Sequence, residues 1–300
     1  RENDIAGGSL MIPFLSMRLM DQHLDQNQFD ELMQVLSRHP GVVDDIWLAS
    51  EYGFPSLERI ERNAEAMVIA ADRLSNQGIK VSLQISNSIG HGDYLKYLDF
   101  SAITWQRMMD HDGLLCEYIN CPSDPAFLDY MRKAAQLYSQ FQPYAIWIDD
   151  DLRMQHHGPI KYGCFCPQCV HLFNEEHDCS FSREALWLAI NNPDSSEWRD
   201  KYLAFNAERL AAITEAIMSG CLAVSPDTIG ALQHAGTDWS LYQGPSFEPV
   251  FRKLYDMTGK PPMSRPGGGF YYDGAPRQML DKAFSINHQI MATPSYVCSI

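Results

Sequence analysis

Short apolar segments alternate along the chain with longer segments whose apolar residues recur every three or four positions. Segments of the first kind are typical of buried parallel strands, and the second kind is typical of helices that bury one face. The pattern predicts strands at 11–19, 45–50, 80–86, 144–149, 228–234, 262–265 and 295–300. It predicts helices at 28–37, 55–74, from Asp124 and Pro125 onward, and at 198–219, 247–258 and 277–290.

This alternation favours a single α/β domain over residues 1–300, folded as a (β/α)8 barrel of the TIM type. A chain of 300 residues that is 45% hydrophobic suits one large core better than two small ones. Seven strands are visible where such a barrel has eight, so we expect the last part of the barrel to lie beyond residue 300. A doubly wound sheet is the alternative, but no glycine-rich phosphate loop follows the first strand.

Charge and cysteine content narrow the class of protein. The chain has 38 acidic and 23 basic residues, a net charge of −15 and no basic run, which argues against a nucleic-acid partner. It has no long apolar segment and no signal-peptide pattern, so we expect no membrane segment and a native N-terminus that precedes residue 1. Eight cysteines with three close together favour metal binding and a reducing, cytoplasmic compartment over disulfides.

The cysteine cluster has the spacing of a metal site. Cys164, Cys166 and Cys169 form a Cys-x-Cys-x2-Cys motif, which lets three thiolates converge on one ion. We expect Cys121, before the helix that leads into the fourth strand, to be the fourth ligand, with Cys116 as the alternative. Four thiolates close a tetrahedral site, so the ion is predicted to be a structural zinc. The competing interpretation is a set of free, partly buried thiols.

Three consecutive aspartates, Asp149, Asp150 and Asp151, end the apolar fourth strand. In a β/α barrel the carboxyl ends of the strands carry the chemistry, and crowding of carboxylates raises the pKa of at least one of them. A proton donor that works near neutral pH needs such a raised pKa, and Arg153 can keep a neighbour ionised. Two alternatives stay open, because the triplet can also bind a hard cation or cap the following loop.

Other polar and aromatic residues follow the predicted strands, as is typical of a sugar-binding site at the carboxyl ends of barrel strands. Trp239 and Tyr272 are the expected platforms for a sugar ring, and Arg18 and His234 are the expected hydroxyl partners. No organic cofactor is expected. The full set of predicted substrate-binding residues is Arg18, Glu51, Asn87, His91, Arg153, His234, Trp239, Arg265 and Tyr272.

The order of CPSDP at 121–125, WIDDD at 147–151 and CFCPQC at 164–169 resembles glycoside hydrolase family 42. That family has its four cysteines on zinc and ends strand four in Asn-Glu, where this chain has Asp150 and Asp151. By position Asp151 takes the acid/base role and Asp150 the neighbouring hydroxyl-binding role, although the reverse assignment stays open. An aspartate acid/base is more similar to the β-mannosidases of family 164.

The resemblance implies a homotrimeric, retaining exo-glycosidase that acts on a β-galactoside or a β-mannoside. It implies a glutamate nucleophile at the end of strand seven, which we expect just after Ile300. Two other functions stay open. One is a metal-dependent barrel hydrolase or lyase that uses the aspartate triplet, and the other is a non-catalytic sugar-binding barrel.

Overall fold

Seven strands form one sheet in which every neighbouring pair is parallel, in the order β1-β2-β3-β6-β7-β8-β9. The structure is a computed structural model that describes residues 14–91, 103–155, 157–234, 247–267 and 278–299. The sheet strands are β1 (Ser16–Leu19), β2 (Asp45–Ala49), β3 (Lys80–Ile85), β6 (Ala145–Ile148), β7 (Ile229–Gln233), β8 (Met263–Arg265) and β9 (Cys298–Ser299). The predicted order of seven parallel strands is confirmed, and the sheet with its helices fits an α/β half-barrel.

Helices connect the strands close to the predicted positions. Asp124 caps the third helix as predicted, because its Oδ1 accepts the backbone N–H groups of Ala126 at 2.8 Å and Phe127 at 3.1 Å. No described helix has both the length and the apolar character that a membrane span requires. The helices are α1 (Gln26–Arg38), α2 (Leu57–Ser75), α3 (Pro125–Tyr138), α4 (Pro167–Glu176), α5 (Arg183–Ile190), α6 (Glu197–Leu222), α7 (Glu248–Thr258) and α8 (Gln278–Ala292).

The sequence pattern did not predict α4, α5 or an antiparallel hairpin of β4 (Arg107–Met109) and β5 (Leu115–Asn120). The hairpin lies between the predicted strand at 80–86 and the predicted helix that begins at Asp124. β4 has only three residues, too few for a clear alternation, and a side chain builds the turn between the two strands. Asp110 Oδ1 accepts the backbone N–H groups of Asp112 and Leu114, both at 2.9 Å.

The two faces of the sheet bury different clusters. Alternate residues of a strand point to opposite faces, so Ile146 and Ile148 pack towards the helices while Ala145 and Trp147 point inward. The inner cluster also contains Trp47, whose ring stacks on Trp147 with centroids 4.2 Å apart. The same alternation places the residue after β6, Asp149, on the inner face, and its backbone N–H extends the ladder to Ile85 O at 3.3 Å.

The helix layer fixes the position of β6 through close contact between α3 and α6. Gly220 of α6 lies so near α3 that an added Cβ would be 1.9 Å from the carbonyl oxygen of Arg132. Only glycine allows this approach, and α3 leads through a short 3₁₀ helix (Ser139–Phe141) into β6. The strand that carries the aspartates is therefore held from the helix side as well as by its neighbours in the sheet.

Asp45 generates a prediction about stability and pH. It is buried on the inner face of β2, where it accepts hydrogen bonds from Trp47 Nε1 at 2.7 Å and Ser82 Oγ at 2.9 Å. Burial raises its pKa from 3.8 to about 6, against the opposing effect of these hydrogen bonds. The folded state thus holds the proton more tightly than the unfolded chain, so this residue's contribution to stability falls as the pH rises between these values.

We expect the stability of the wild type relative to Asp45→Asn to fall by up to about 3 kcal/mol between pH 4 and pH 7. The asparagine can accept the same two hydrogen bonds through its oxygen but does not ionise. Urea denaturation of both proteins across this range measures the difference. Parallel stability curves for the two proteins would contradict the raised pKa of Asp45.

Candidate active site and cysteine cluster

The three aspartates after β6 have different surroundings. Asp149 lies at the inner face with a side chain that is 5% exposed, and its Oδ2 is 3.4 Å from Nδ1 of His91. Burial raises the pKa of Asp149 well above its ordinary value, and the charges of Asp150 and Asp151 raise it further. Arg18 opposes this rise. Asp149 is therefore a carboxyl group that tends to keep its proton.

Asp150 is the exposed member of the triplet, with 34% of its side chain accessible. Its Oδ1 lies 3.9 Å from Nη1 of Arg153, and the same guanidinium donates a hydrogen bond to the backbone oxygen of Asp150. One ligand atom each from His91, Asp149 and Asp150 lies within 4.8 Å of the others. The end of β6 thus presents a half-open carboxylate next to a buried carboxyl group and an imidazole.

Asp151 is fully buried and serves the loop that follows β3. Its carboxylate accepts hydrogen bonds from Ser88 N at 2.9 Å, Ser88 Oγ at 2.6 Å, Ile89 N at 3.1 Å and Gly90 N at 2.8 Å. Burial raises the pKa of Asp151, while the charge of His91 and the bonds from Ser88 and Gly90 oppose that rise. This geometry argues against the predicted role of Asp151 as proton donor, because both of its oxygens are enclosed.

The loop after β3 is also held from its other side. Gly90 has a φ of +143°, and an added Cβ would lie 2.4 Å from the carbonyl oxygen of Tyr118 in β5. A side chain at this position would be strained and would displace the hairpin. The loop is consequently fixed between the Asp151 carboxylate and β5, and it carries His91 to the edge of the site.

Four cysteines meet at a second buried point. Cys121 follows β5, Cys164 and Cys166 precede α4, and Cys169 lies in the first turn of α4. The Sγ of Cys121 is 3.7 Å from that of Cys164, 3.6 Å from that of Cys166 and 3.4 Å from that of Cys169. The predicted convergence of these four residues is confirmed. Cys116 stands outside the cluster, because its thiol donates to the carbonyl of Gly158 at 3.3 Å.

The donor set has the dimensions of a tetrahedral metal site. Four thiolates at about 2.3 Å from a central ion are about 3.8 Å apart, close to the separations in the cluster. Disulfide sulfurs lie at about 2.05 Å, so these cysteines are not bridged. Burial raises the pKa of the Cys164 thiol, and a bound cation would reverse this by stabilising the thiolate. The residues therefore fit a soft divalent ion better than four neutral thiols.

Two predicted substrate residues have structural partners. The carboxylate of Glu51 is paired with Arg59 and accepts a hydrogen bond from Nδ2 of Asn63 at 2.7 Å, so it is bound to the surface of α2. Asn87 Oδ1 accepts the backbone N–H of Gly53 at 2.6 Å and thereby holds the loop after β2. The structure thus assigns both side chains to loop packing at the end of the sheet.

The predicted role of His234 as a hydroxyl partner needs correction. The ring lies between β8 and α7, with Nε2 3.0 Å from Ser264 Oγ and the rings of Phe247 and Phe251 at 5.3 and 5.2 Å. Burial lowers its pKa to about 4, so it is a neutral core residue near pH 7. It faces the helices because Leu232, two residues earlier, also does.

The remaining predicted residues divide into three groups. Arg18 and Arg265 line one cavity of about 340 Å³, together with Trp47 and Gln233. His91 and Arg153 contact the aspartates, as described above. Trp239 and Tyr272 lie outside the described residues. The candidate active site therefore contains fewer residues than the predicted catalytic and substrate-binding set. It also includes Asp149 and the loop at 88–90, which were not in that set.

The structure is similar to that of a β-galactosidase from Bacillus circulans sp. alkalophilus, with a TM-score of 0.59 and 11% identity over 93% of this chain and 43% of that chain. An exo-β-agarase has a TM-score of 0.45, 10% identity and coverage of 88% and 34%. The virulence factor SghA from Agrobacterium tumefaciens has a TM-score of 0.42, 10% identity and coverage of 82% and 53%. No family profile and no curated protein sequence matches the chain.

The likeness to the β-galactosidase shows a shared fold and supports the predicted TIM type. This chain spans less than half the length of that enzyme. At 11% identity the comparison does not transfer a substrate, so the chemistry has to be argued from the residues described above.

We expect Asp151→Asn to lower the free energy of unfolding by about 2–4 kcal/mol, because an amide nitrogen would face backbone N–H groups that need an acceptor. The matched control is Asp150→Asn, which changes a partly exposed neighbour and should cost less than about 1 kcal/mol. Urea denaturation of the two variants checks this. Equal stability of Asp151→Asn and the wild type would contradict the structural role of Asp151.

Proposed function

We propose that this chain is a glycoside hydrolase for β-linked hexosides, in which Asp149 protonates the leaving oxygen. The observation that carries the proposal is a buried carboxyl group with a raised pKa at the carboxyl end of β6, on the inner face of the sheet. In β/α barrels this is the end at which catalysis takes place. The shared fold with a β-galactosidase and the resemblance to family 42 support the same function.

The surroundings of Asp149 suit a general acid. A donor must be protonated before the reaction, and burial with two neighbouring aspartates favours that form. It must also accept a proton again, and His91, 3.4 Å away, lies close enough to interact with the resulting carboxylate. Asp150, the more exposed neighbour, is placed to contact the substrate. This assignment moves the acid/base role by two residues from Asp151 and leaves the retaining stereochemistry as an inference from the resemblance.

We further propose that Cys121, Cys164, Cys166 and Cys169 hold a structural zinc ion. Their separations and complete burial support a closed site with no open position for a substrate. Such an ion would join the end of β5 to the loop that precedes α4. It would therefore fix both ends of the segment that carries the aspartates without taking part in the reaction.

One observation favours a second function. The ligand atoms of His91, Asp149 and Asp150 are close enough to coordinate a single divalent cation. A metal-dependent hydrolase would use that ion to polarise its substrate. Chelation would then abolish turnover reversibly without unfolding, whereas removal of zinc from the cysteines would lower stability.

We expect Asp149→Asn to lower kcat for aryl β-glycosides with poor leaving groups by about 10²–10⁴-fold, because the asparagine cannot donate a proton. Leaving groups of low pKa need less protonation and should lose less. In the wild type, activity should fall as the pH rises through the raised pKa of Asp149, and the variant should lack this alkaline limb. Steady-state kinetics across pH measures both effects.

The control for this experiment is Asp129→Asn, which removes an exposed carboxylate of α3 that pairs with Arg132 and Lys133. It should retain wild-type kinetics. An Asp149→Asn variant with an unchanged pH profile and unchanged dependence on the leaving group would refute the assignment of Asp149. Loss of turnover on chelation with the cysteine site still loaded would favour the metal-dependent alternative.

We expect the purified chain to contain about one zinc ion, because four converging thiolates make a closed tetrahedral site. Cys166→Ser should lose this zinc and melt at a lower temperature. Cys116→Ser alters a nearby buried thiol outside the cluster and should keep the metal. Elemental analysis and thermal denaturation check the pair, and equal zinc content in the two variants would contradict the ligand set.

A further inference from the structure

Two arginines from opposite parts of the sheet line the same cavity. Arg18 belongs to β1 and Arg265 to β8, and the cavity between them has a volume of about 340 Å³. Arg18 is in register with Trp47, and Arg265 is in register with Gln233. All four side chains line this cavity, which lies inside the curve of the sheet.

Neither arginine lies within ion-pair distance of a carboxylate in the described part of the chain, and the one carboxyl group on which Arg18 acts, that of Asp149, tends to keep its proton. Neither forms an ion pair there, although the sequence has 38 acidic and only 23 basic residues. Other arginines, such as Arg59 and Arg252, pair with nearby glutamates. The described residues that line the cavity include no acidic residue, so they give it a local positive charge in a strongly acidic protein.

The buried polar groups of the cavity also lack acceptors. Gln233 is 3% exposed, and its Oε1 accepts a hydrogen bond from Arg265 Nη1 at 3.3 Å. This contact fixes the orientation of the amide, because its nitrogen would otherwise face a guanidinium that can only donate. Its Nε2 and the hydroxyl of Ser16 are buried and have no hydrogen-bond partner among the described residues.

A negatively charged ligand would satisfy this arrangement. The two guanidinium groups can donate to the oxygens of a carboxylate or a sulfate. The hydroxyl groups of a neutral hexose would leave both positive charges uncompensated. Trp47 adds an apolar wall, since its indole N–H is bonded to Asp45 and its ring is held against Trp147. Aromatic rings of this kind pack on the apolar face of a sugar.

We propose that the substrate carries an anionic glycone, a hexuronate or a sulfated hexose, whose acidic group is bound by Arg18 and Arg265. This inference rests on the proposed function and narrows its substrate class. The cavity is next to the proposed proton donor, because Ile148 and Leu232 are in register, so that the residues that follow them, Asp149 and the cavity-lining Gln233, are neighbours. The negative group would thus lie within one sugar of the bond that is cleaved.

The test is calorimetric binding of D-glucuronate, D-galactose 6-sulfate and neutral D-galactose to the full chain. We expect the better of the two anions to bind at least about tenfold more tightly than D-galactose, which is the size of one charge-assisted hydrogen bond. Arg265→Gln and Arg18→Gln should each lower anion affinity by about tenfold and lower the affinity for D-galactose by less. Arg252→Gln, at an exposed ion pair on α7, is the matched control. Arg265→Lys keeps a charge and should retain part of the affinity.

Binding and turnover separate this inference from the proposed function. Equal binding of neutral and anionic sugars, or arginine variants that bind anions as the wild type does, would overturn the anionic glycone. Hydrolysis of 4-nitrophenyl β-D-galactoside without turnover of either the β-D-glucuronide or the 6-sulfated β-D-galactoside would also overturn it while supporting a glycosidase. Anion binding that depends on Arg265, with no aryl glycoside cleaved, would support the cavity assignment and refute the proposed function.

Discussion

The site depends on one buried carboxylate, that of Asp151. Its two oxygens collect hydrogen bonds from Ser88, Ile89 and Gly90, and they tie the loop after β3 to the end of β6. Backbone N–H groups that are buried without an acceptor are strongly unfavourable. The loop after β3 and the end of β6 therefore cannot move apart without exposing these groups or leaving them without a hydrogen-bond acceptor. This contact sets the direction in which the preceding aspartates leave the strand and brings His91 beside Asp149.

The cysteine cluster adds a second constraint on the same segment. It connects the end of β5 with the start of α4, and Gly220 of α6 packs closely on α3, the helix that precedes β6. The residues from 149 to 166 are therefore anchored at both ends by buried groups. Pre-organisation of this kind keeps the reacting groups in place, and it allows a carboxyl group to remain buried and protonated beside its charged neighbours.

Local periodicity predicted most of the fold. Strands β2, β3 and β6 are apolar because both faces are covered, and the helices bury one stripe each, so each left a clear signal. The sequence pattern does not indicate the hairpin of β4 and β5, since its turn depends on the side chain of Asp110. The cysteine motif predicted its own convergence, because three ligands lie within six residues. The inward direction of Asp149 could also have been predicted from the sequence, because it follows from the alternation that starts at Ala145.

The sequence by itself determined the order of strands and helices, the meeting of the four cysteines and the presence of a carboxylate cluster at a strand end. These features depend on period, spacing and composition, which are local properties. Only the tertiary structure decided the separate roles of Asp149 and Asp151, the core position of His234 and the pairing of Glu51 with Arg59. Each of these depends on burial and on partners between 8 and 63 residues away, which a single sequence does not encode in its local pattern.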